Sequence, residues 1–156
     1  MKSFAACILV IGFVLVVQAC ASGRSAHERS EIPGGWPVER SKVVVTAEFG
    51  VPRGNARHQG IDLAAPAGSP VRSTADGVVV VADRDKRYGR TVVIDHGDGY
   101  RTRYAHLKKI ETKKGRRVER GDVIGRVGKS GNASGTHLHY EVQRNGVPVN
   151  PRAYLD

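Results

Sequence analysis

Cysteine and long apolar runs are both scarce in this sequence, and each scarcity removes a class of protein. Only two cysteines, Cys7 and Cys20, occur among the 156 residues. Cys7 lies in an apolar stretch at residues 4–17 that resembles a cleavable leader, so at most one cysteine remains in the mature chain. A disulfide within the mature chain is therefore excluded. The stretch is also shorter than the roughly 20 apolar residues that span a bilayer, which argues against a retained membrane helix.

The N-terminus has the layout of a signal peptide, with a basic start, an apolar stretch and then small and polar residues. Residues 17–20, Val-Gln-Ala-Cys, resemble the lipobox of bacterial lipoproteins, in which the leader is cut before the cysteine and the cysteine is acylated. This pattern predicts a signal peptide over residues 1–19 and lipidation of Cys20. Cleavage after Ala21 by ordinary signal peptidase is the alternative.

Lipidation gives a function to Cys20, which would otherwise be a lone thiol in an oxidising compartment. We therefore expect an exported protein that is anchored to a membrane of the cell envelope through its N-terminal lipid. Ala21 and Ser22 follow the cysteine in place of Asp. By resemblance to the lipoproteins of double-membrane bacteria, this favours the periplasmic face of the outer membrane.

The chain also lacks any recognisable nucleic-acid-binding motif, although its formal net charge is +10. Such a charge suits a polyanionic partner, which includes nucleic acid, anionic lipid and acidic cell-wall polymers. The basic residues are scattered from Arg24 to Arg152 instead of lying on one recognition element. We therefore expect no nucleic-acid partner.

Helical periodicity is missing as well, and short β-type runs separated by turn residues take its place. The sequence contains 19 glycines, spread along the chain, which suits many tight turns. His96-Gly97-Asp98-Gly99 predicts a hairpin turn, and we interpret His96 as a turn residue and not as a ligand. The pattern predicts an all-β fold with strands near residues 43–49, 60–64, 71–74, 77–83, 91–95, 100–106, 123–127 and 137–144.

The chain divides into a leader, a tether and one globular domain. Residues 20–41 are rich in Gly, Ser and charge, so we interpret them as the lipidated cysteine and a flexible tether. The globular domain is expected to span residues 42–156. Gly128-Lys129-Ser130 looks like the end of a phosphate-binding loop, but Val123 stands where that loop needs glycine. Residues 118–125 look like part of a lipoyl or biotinyl carrier domain, but no modifiable lysine in its hairpin context accompanies them.

Four of the six histidines fall in patterns suited to a metal site. His58 and Asp62 form an H-x-x-x-D pattern, and in an extended segment both side chains project from one face, with Gly60 leaving backbone space between them. His137 and His139 also share a face if residues 137–139 form a strand. Each pattern alone is weak, and their combination carries the prediction.

Two further residues extend these patterns. Glu141 continues the face of His139, where we expect it to orient a ligand or contact substrate. Tyr104 and His106 are two residues apart in a β-type run, so we expect them to share a face at the same site.

Catalytic zinc sites commonly use three His, Asp or Glu ligands and leave one position to water. His58, Asp62 and His139 fit this ligand set. His106 and His137 then remain to move protons and to stabilise a developing oxyanion.

Residues 49–156 resemble the lysostaphin/LytM-like zinc metallopeptidases, and the resemblance covers essentially the whole globular part. The motifs that carry it are Phe49-Gly50, His58 with Asp62, Gly77 before a valine-rich strand, Tyr104-Ala105-His106-Leu107, Gly121-Asp122-Val123-Ile124-Gly125, Ser130-Gly131, His137-Leu138-His139-Tyr140-Glu141 and Asn150-Pro151.

The resemblance implies an antiparallel β-sandwich with an open groove, of the duplicated-hybrid-motif type. It implies one zinc ion per chain on His58, Asp62 and His139, with His106 and His137 as the catalytic histidines. The implied activity is cleavage of peptide bonds in bacterial peptidoglycan, by a protein that we expect to be a monomer. Some members of this family have lost ligands and only activate other wall hydrolases, so a non-catalytic envelope adaptor is the alternative.

Overall fold

The computed structural model describes residues 32–155, so the expected leader and the lipidation site at Cys20 lie outside the described residues. Within this range the chain forms short strands and two short 3-10 helices, Arg40–Lys42 and Pro151–Tyr154. The strands are β1 (Val44–Ala47), β2 (Pro52–Arg53), β3 (Ala56–Arg57), β4 (Ile61–Ala64), β5 (Pro70–Arg72), β6 (Gly77–Asp85), β7 (Gly89–Gly97), β8 (Tyr100–Leu107), β9 (Lys109–Ile110), β10 (Arg117–Val118), β11 (Val123–Arg126), β12 (Leu138–Arg144) and β13 (Val147–Val149).

All the strand pairs are antiparallel, and the strands form two main sheets. The larger sheet has the order β1-β4-β12-β8-β7-β6-β10, with β13 beside the end of β12, and the smaller has the order β5-β11-β9. Strands β2 and β3 form a separate two-stranded hairpin. Buried apolar side chains of both sheets, such as Leu63 and Ile124, belong to one core. The prediction of an all-β antiparallel fold is confirmed.

Strand β12 shows how the sequence alternation creates two different faces. Leu138, Tyr140 and Val142 belong to the apolar core, whereas His139 and Glu141 point to the opposite face. All five side chains are buried, so neither face of this strand is open surface. A polar residue on the second face therefore needs a partner within the protein.

The packed unit begins earlier in the chain than residue 42, the start expected from composition. Val38 is only 1% exposed and belongs to the core. The backbone N–H of Gly34 donates to the carbonyl of Thr74, and that of Arg72 donates to the carbonyl of Pro37. The residues just before position 42 thus pack against the domain, because backbone hydrogen bonds and one apolar side chain hold them there.

The hairpin turn after β7 forms at Asp98 and Gly99, whose φ angles are 43° and 79°. His96, however, is not a turn residue: it lies within β7 and is buried. The alternation of the strand points its ring toward the interior, where it contacts Asp76 and Thr102. Within residues 32–155, no helix has the length and apolar character needed to cross a membrane.

Candidate metal centre

Asp62 and His139 are brought together by strand register. The two residues are direct partners in the antiparallel pairing of β4 with β12. Their side chains project on the face opposite the core, and His58, just before β4, turns toward them. These three buried residues form the one group within the described chain whose His, Cys, Asp or Glu donors converge closely enough to hold a metal ion.

The three donor atoms form a small triangle. His58 Nε2 lies 3.1 Å from Asp62 Oδ1 and 3.0 Å from His139 Nδ1, and His139 Nδ1 lies 2.9 Å from Asp62 Oδ1. Tetrahedral ligands at zinc bond lengths of about 2.0–2.1 Å are roughly 3.3 Å apart. The spacing of the donors is therefore close to that of a zinc site.

The hydrogen bond made by the outer nitrogen of each imidazole fixes the tautomer of the ring, and so which nitrogen presents a lone pair to the centre. His58 Nδ1 donates to the carbonyl oxygen of Glu48 at 2.8 Å, and His139 Nε2 donates to Glu141 Oε1 at 3.0 Å. The inner nitrogens of both neutral rings then present lone pairs to the carboxylate of Asp62. Three acceptors that converge in a buried site need a cation between them, so this donor set fits zinc.

The electrostatics of the cluster also depend on a basic side chain from the β2–β3 hairpin. Arg53 Nη2 donates to Asp62 Oδ2 at 2.8 Å, which leaves Oδ1 for the centre. Burial raises the pKa of Asp62, but when the rings of His139 and His58 are protonated, their hydrogen bonds and charges outweigh burial and lower it. Asp62 is therefore a carboxylate at neutral pH, as a metal ligand must be.

The pKa of His139 shifts in the opposite direction from that of Asp62. Burial would lower its pKa, but hydrogen bonds to Asp62 and Glu141 and the charges of these two carboxylates raise it. Protons therefore compete with a metal ion for His139 as the pH falls.

Gly60 lies between two of the ligands, and the packing requires a glycine there. A Cβ atom at this position would lie 2.3 Å from the carbonyl oxygen of Tyr140 and 2.9 Å from Cε1 of His139. Any side chain would push β4 away from β12 and separate Asp62 from His139. The expectation that Gly60 leaves space for the backbone is confirmed.

His106 reaches the cluster through an irregularity in β8. Between Tyr104 and Leu107 the register with β7 shifts, so that β8 carries one more residue than its partner, and His106 adopts a φ of 61°. Such a bulge reverses the alternation of the strand. The ring of His106 turns toward His139, with ring centroids 5.9 Å apart.

The expectation that Tyr104 shares this face is wrong. Tyr104 is fully buried on the core side, with its ring 5.3 Å from that of Tyr140. Its hydroxyl oxygen lies 3.0 Å from both the backbone nitrogen and the Oγ1 of Thr74, and 3.1 Å from Oγ1 of Thr102. Because the bulge comes after Tyr104, the tyrosine keeps the core side while the histidine leaves it.

His106 and His137 line the same groove as the ligands, with ring centroids 4.9 Å apart. His106 Nδ1 donates to the carbonyl of Ser130 at 2.8 Å, and His137 Nδ1 donates to that of Gly135 at 3.0 Å. Both rings therefore turn Nε2 into a groove of about 630 Å³. Burial lowers the pKa of His106, and nearby histidines add to this effect, although the hydrogen bond to Ser130 opposes it.

Behind His139 lies a group of side chains that the sequence revealed only in part. Glu141 is placed where it was expected, beside His139, and its Oε2 lies 3.2 Å from Arg103 Nε. Arg103 in turn lies over the ring of Tyr88, 4.4 Å from its centroid. Arg103 and Tyr88 were missed, as were Arg53 and the carbonyls of Glu48 and Ser130. Backbone acceptors cannot be identified from the sequence. Arg103 could have been identified, because it lies on the same strand face as Ala105, and Ala105 is the direct partner of His139.

A β-sheet groove that holds two imidazoles and a carboxylate, with two further histidines turned into it, defines a metallopeptidase type of site. The family model of peptidase family M23 matches residues 56–151. The chain belongs to peptidase family M23.

Named relatives agree with this membership. The peptidoglycan DD-endopeptidase ShyA of Vibrio cholerae is 50% identical over 95 residues, which are 61% of this chain and 22% of that protein. A solved zinc-containing peptidase from Vibrio cholerae is 37% identical with a TM-score of 0.72, covering 77% of this chain and 39% of that one.

The catalytic domain of lysostaphin from Staphylococcus simulans is 27% identical with a TM-score of 0.67, covering 72% of this chain and 91% of that one. The fold and the family expected from the sequence are thereby confirmed. The chain spans only 22% of the length of curated relatives such as ShyA.

Proposed function

We propose that this chain is a zinc metalloendopeptidase that hydrolyses peptide bonds in the stem or crosslink peptides of bacterial peptidoglycan. One observation carries the proposal: the donors of His58, Asp62 and His139 converge at the floor of a groove into which His106 and His137 also turn. Membership of peptidase family M23 supports the reaction class. The peptidoglycan DD-endopeptidase named among its relatives supports the substrate class.

The three donors would hold the Lewis acid of this reaction. His58, Asp62 and His139 would hold the zinc ion, which would act as a Lewis acid that acidifies water and polarises a peptide carbonyl. The role of the protein is to hold the three donors in one arrangement. Strand pairing fixes Asp62 and His139, and hydrogen bonds to Glu48 and Glu141 fix the two rings.

The two remaining histidines provide proton transfer. Because burial lowers the pKa of His106, its ring is neutral at physiological pH and Nε2 can accept a proton from an attacking water. The protonated ring can then donate to the leaving amine nitrogen. His137, fixed by the carbonyl of Gly135, can donate a hydrogen bond to the oxyanion when it is protonated.

Digestion of purified sacculi tests the proposal directly. The zinc-loaded protein should release muropeptides that mass spectrometry identifies as products of peptide-bond cleavage, and a chelator should stop the release until zinc is restored. The same protein with His106→Ala is the matched control, because it keeps the three ligands. Binding to sacculi without release of any muropeptide would instead support the adaptor alternative.

We also propose that the chain is exported and held at the membrane by an acylated Cys20. The lipobox-like residues 17–20 and the lone cysteine of the mature chain support this. The Cys20→Ser protein should accumulate uncleaved or leave the membrane fraction, whereas Cys7→Ser, a matched change within the leader, should fractionate normally. Unchanged processing and fractionation of the Cys20→Ser protein would rule out the anchor.

A further inference from the structure

A second cavity adjoins the groove and shares two residues with it. Arg87 and Asn132 line both cavities, and the second has a volume of about 760 Å³. Its wall is formed by the turn between β6 and β7 and by the segment that follows Ser130. The residues that complete this wall are Arg84, Asp85, Lys86 and Gly131.

Backbone contacts join the two halves of this wall. The N–H of Asn132 donates to the carbonyl oxygen of Arg87 at 2.9 Å. A Cβ atom at Gly131 would lie 2.3 Å from the backbone nitrogen of Gly89, so the two segments touch with no room for a side chain. The turn is therefore held against the same segment that orients His106 through the carbonyl of Ser130.

The cavity is basic, and its cations lack acidic partners in the described part of the chain. Arg84, Lys86 and Arg87 are exposed and form no ion pair within residues 32–155. The single acid of the cavity is Asp85, whose Oδ1 accepts a hydrogen bond from the backbone N–H of Tyr88. The field in the cavity therefore favours an anionic group.

The one acid of the groove beside it is already engaged by other side chains and does not offset this field. Asp62 is its single acidic lining residue, and that carboxylate already contacts Arg53 and the ligand histidines. The guanidinium of Arg87 lies 5.2 Å from the ring centroid of Tyr88, whose ring is 5.5 Å from that of His139. Arg87 thus connects the basic cavity with the metal cluster.

We propose that the basic cavity is a subsite for a free carboxylate of the substrate, and that Arg87 is its specificity-determining residue. The inference rests on the proposed function and assigns a chemical preference to the same groove. A guanidinium binds a carboxylate through two parallel hydrogen bonds, which suits recognition of a substituent beside the cleaved bond. Arg84 and Lys86 add positive potential around it.

The test compares two crosslinked muropeptide dimers, one with free carboxylates on its stem residues and one with those carboxylates amidated. kcat and KM are measured for the zinc-loaded protein, for Arg87→Gln and for Lys114→Gln. Lys114 is a matched control, because it is an exposed basic residue far from the cavity. The backbone N–H of the next residue, Gly115, donates to the carbonyl of Val79, near the end of β6 opposite to the cavity. Salt dependence of KM is a second measurement.

The parent protein and Lys114→Gln should cleave the free-carboxylate dimer with a KM about 10-fold lower than that of the amidated dimer, as expected for one charge-assisted pair. Arg87→Gln should lose this preference and part of the salt dependence, and the loss should appear in KM more than in kcat. Equal cleavage of both dimers by the parent, or a preference that survives in Arg87→Gln, would overturn the subsite and leave the proposed function intact. Cleavage of neither dimer would overturn both.

Discussion

Two buried polar clusters lie on opposite faces of β8 and β12, and only one of them is built around charge. On the groove face, Asp62 and His139 meet beside the carboxylate of Glu141. On the core face, the hydroxyl of Tyr104 lies 3.1 Å from that of Thr102. The hydroxyl of Thr102 also lies 2.7 Å from Nε2 of His96. No carboxylate contacts Tyr104 or Thr102 within the described chain.

The difference shows that burial of polar groups does not by itself mark a functional site. In the core-face cluster, every contact joins neutral hydroxyls, an imidazole and backbone groups, so the hydrogen bonds are satisfied internally. In the groove-face cluster, three acceptors converge and a cation is needed to balance them. The type of partner, and not the exposed fraction, distinguishes a site from a structural network.

The largest effect should come from substitutions that separate metal binding from proton transfer within the groove. His58→Ala, Asp62→Ala and His139→Ala should each lose most bound zinc and all measurable turnover, because a three-ligand site has no spare donor. His106→Ala and His137→Ala should keep zinc while turnover falls by about 10² to 10⁴. Elemental analysis beside sacculus digestion measures both quantities. A His106→Ala protein without zinc, or a His58→Ala protein with it, would contradict these roles.

Glu141→Gln should weaken zinc binding without unfolding the protein. The carboxylate hydrogen bonds to the outer nitrogen of His139, and loss of such a partner typically lowers metal affinity about 10- to 100-fold. Competition with a zinc chelator measures the change. Glu111→Gln is the control, since Glu111 is also ion-paired but lies outside the groove. Equal zinc affinity in the two variants would show that Glu141 does not support the ligand.

Tyr104→Phe tests the core-face cluster. Removal of the hydroxyl takes a partner from the backbone N–H of Thr74 and from the side chain of Thr102, which should lower the free energy of unfolding by about 1–3 kcal/mol. Zinc content and turnover should stay near those of the parent, because Tyr104 does not line the groove. Urea denaturation gives the first quantity. A drop in turnover at unchanged stability would restore Tyr104 to the active site.

The smallest effect concerns the pH dependence of stability. Burial lowers the pKa of His96 from its ordinary value of 6.5, although the hydrogen bond to Asp76 opposes the shift. Below pH 6.5 the unfolded chain therefore binds more protons at this position than the folded chain, and stability falls until the pH passes the folded pKa. His96→Gln should remove this component of the decline in urea denaturation across acidic pH. Parallel profiles for parent and variant would show that His96 stays paired when charged.

The clustering of His58, Asp62 and His139 was predictable from sequence in part, because it depends on local strand geometry. His139 and Glu141 follow the alternation of β12, which His137 immediately precedes, and His58 and Asp62 lie four residues apart in another segment. That these two motifs meet required the pairing of β4 with β12, which no single segment specifies. The resemblance to a known family supplied that step.

The error at Tyr104 has a specific physical origin. A strict alternation assigns Tyr104 and His106 to one face, but the bulge between them inserts one residue and reverses the face. In this bulge His106 has a φ of 61°, which is unusual for a residue other than glycine. Hydrogen bonds from His106 to the carbonyls of Tyr88 and Ser130, both distant in sequence, hold it there. The start of the packed unit before residue 42, at Val38, was not predicted for a similar reason, since composition does not reveal a long-range contact.

The direct pairing of Asp62 with His139 has a consequence for when the ion is acquired. Their neighbours along the two strands are fully buried in the core: Ile61, Leu63, Leu138 and Tyr140. The donors are therefore brought together by the contacts that fold the sheet, whereas in many small metal-dependent domains the ion itself supplies the folding energy. We therefore expect a zinc ion to bind to a sheet that the core already holds together, so that it could be exchanged without refolding of the chain.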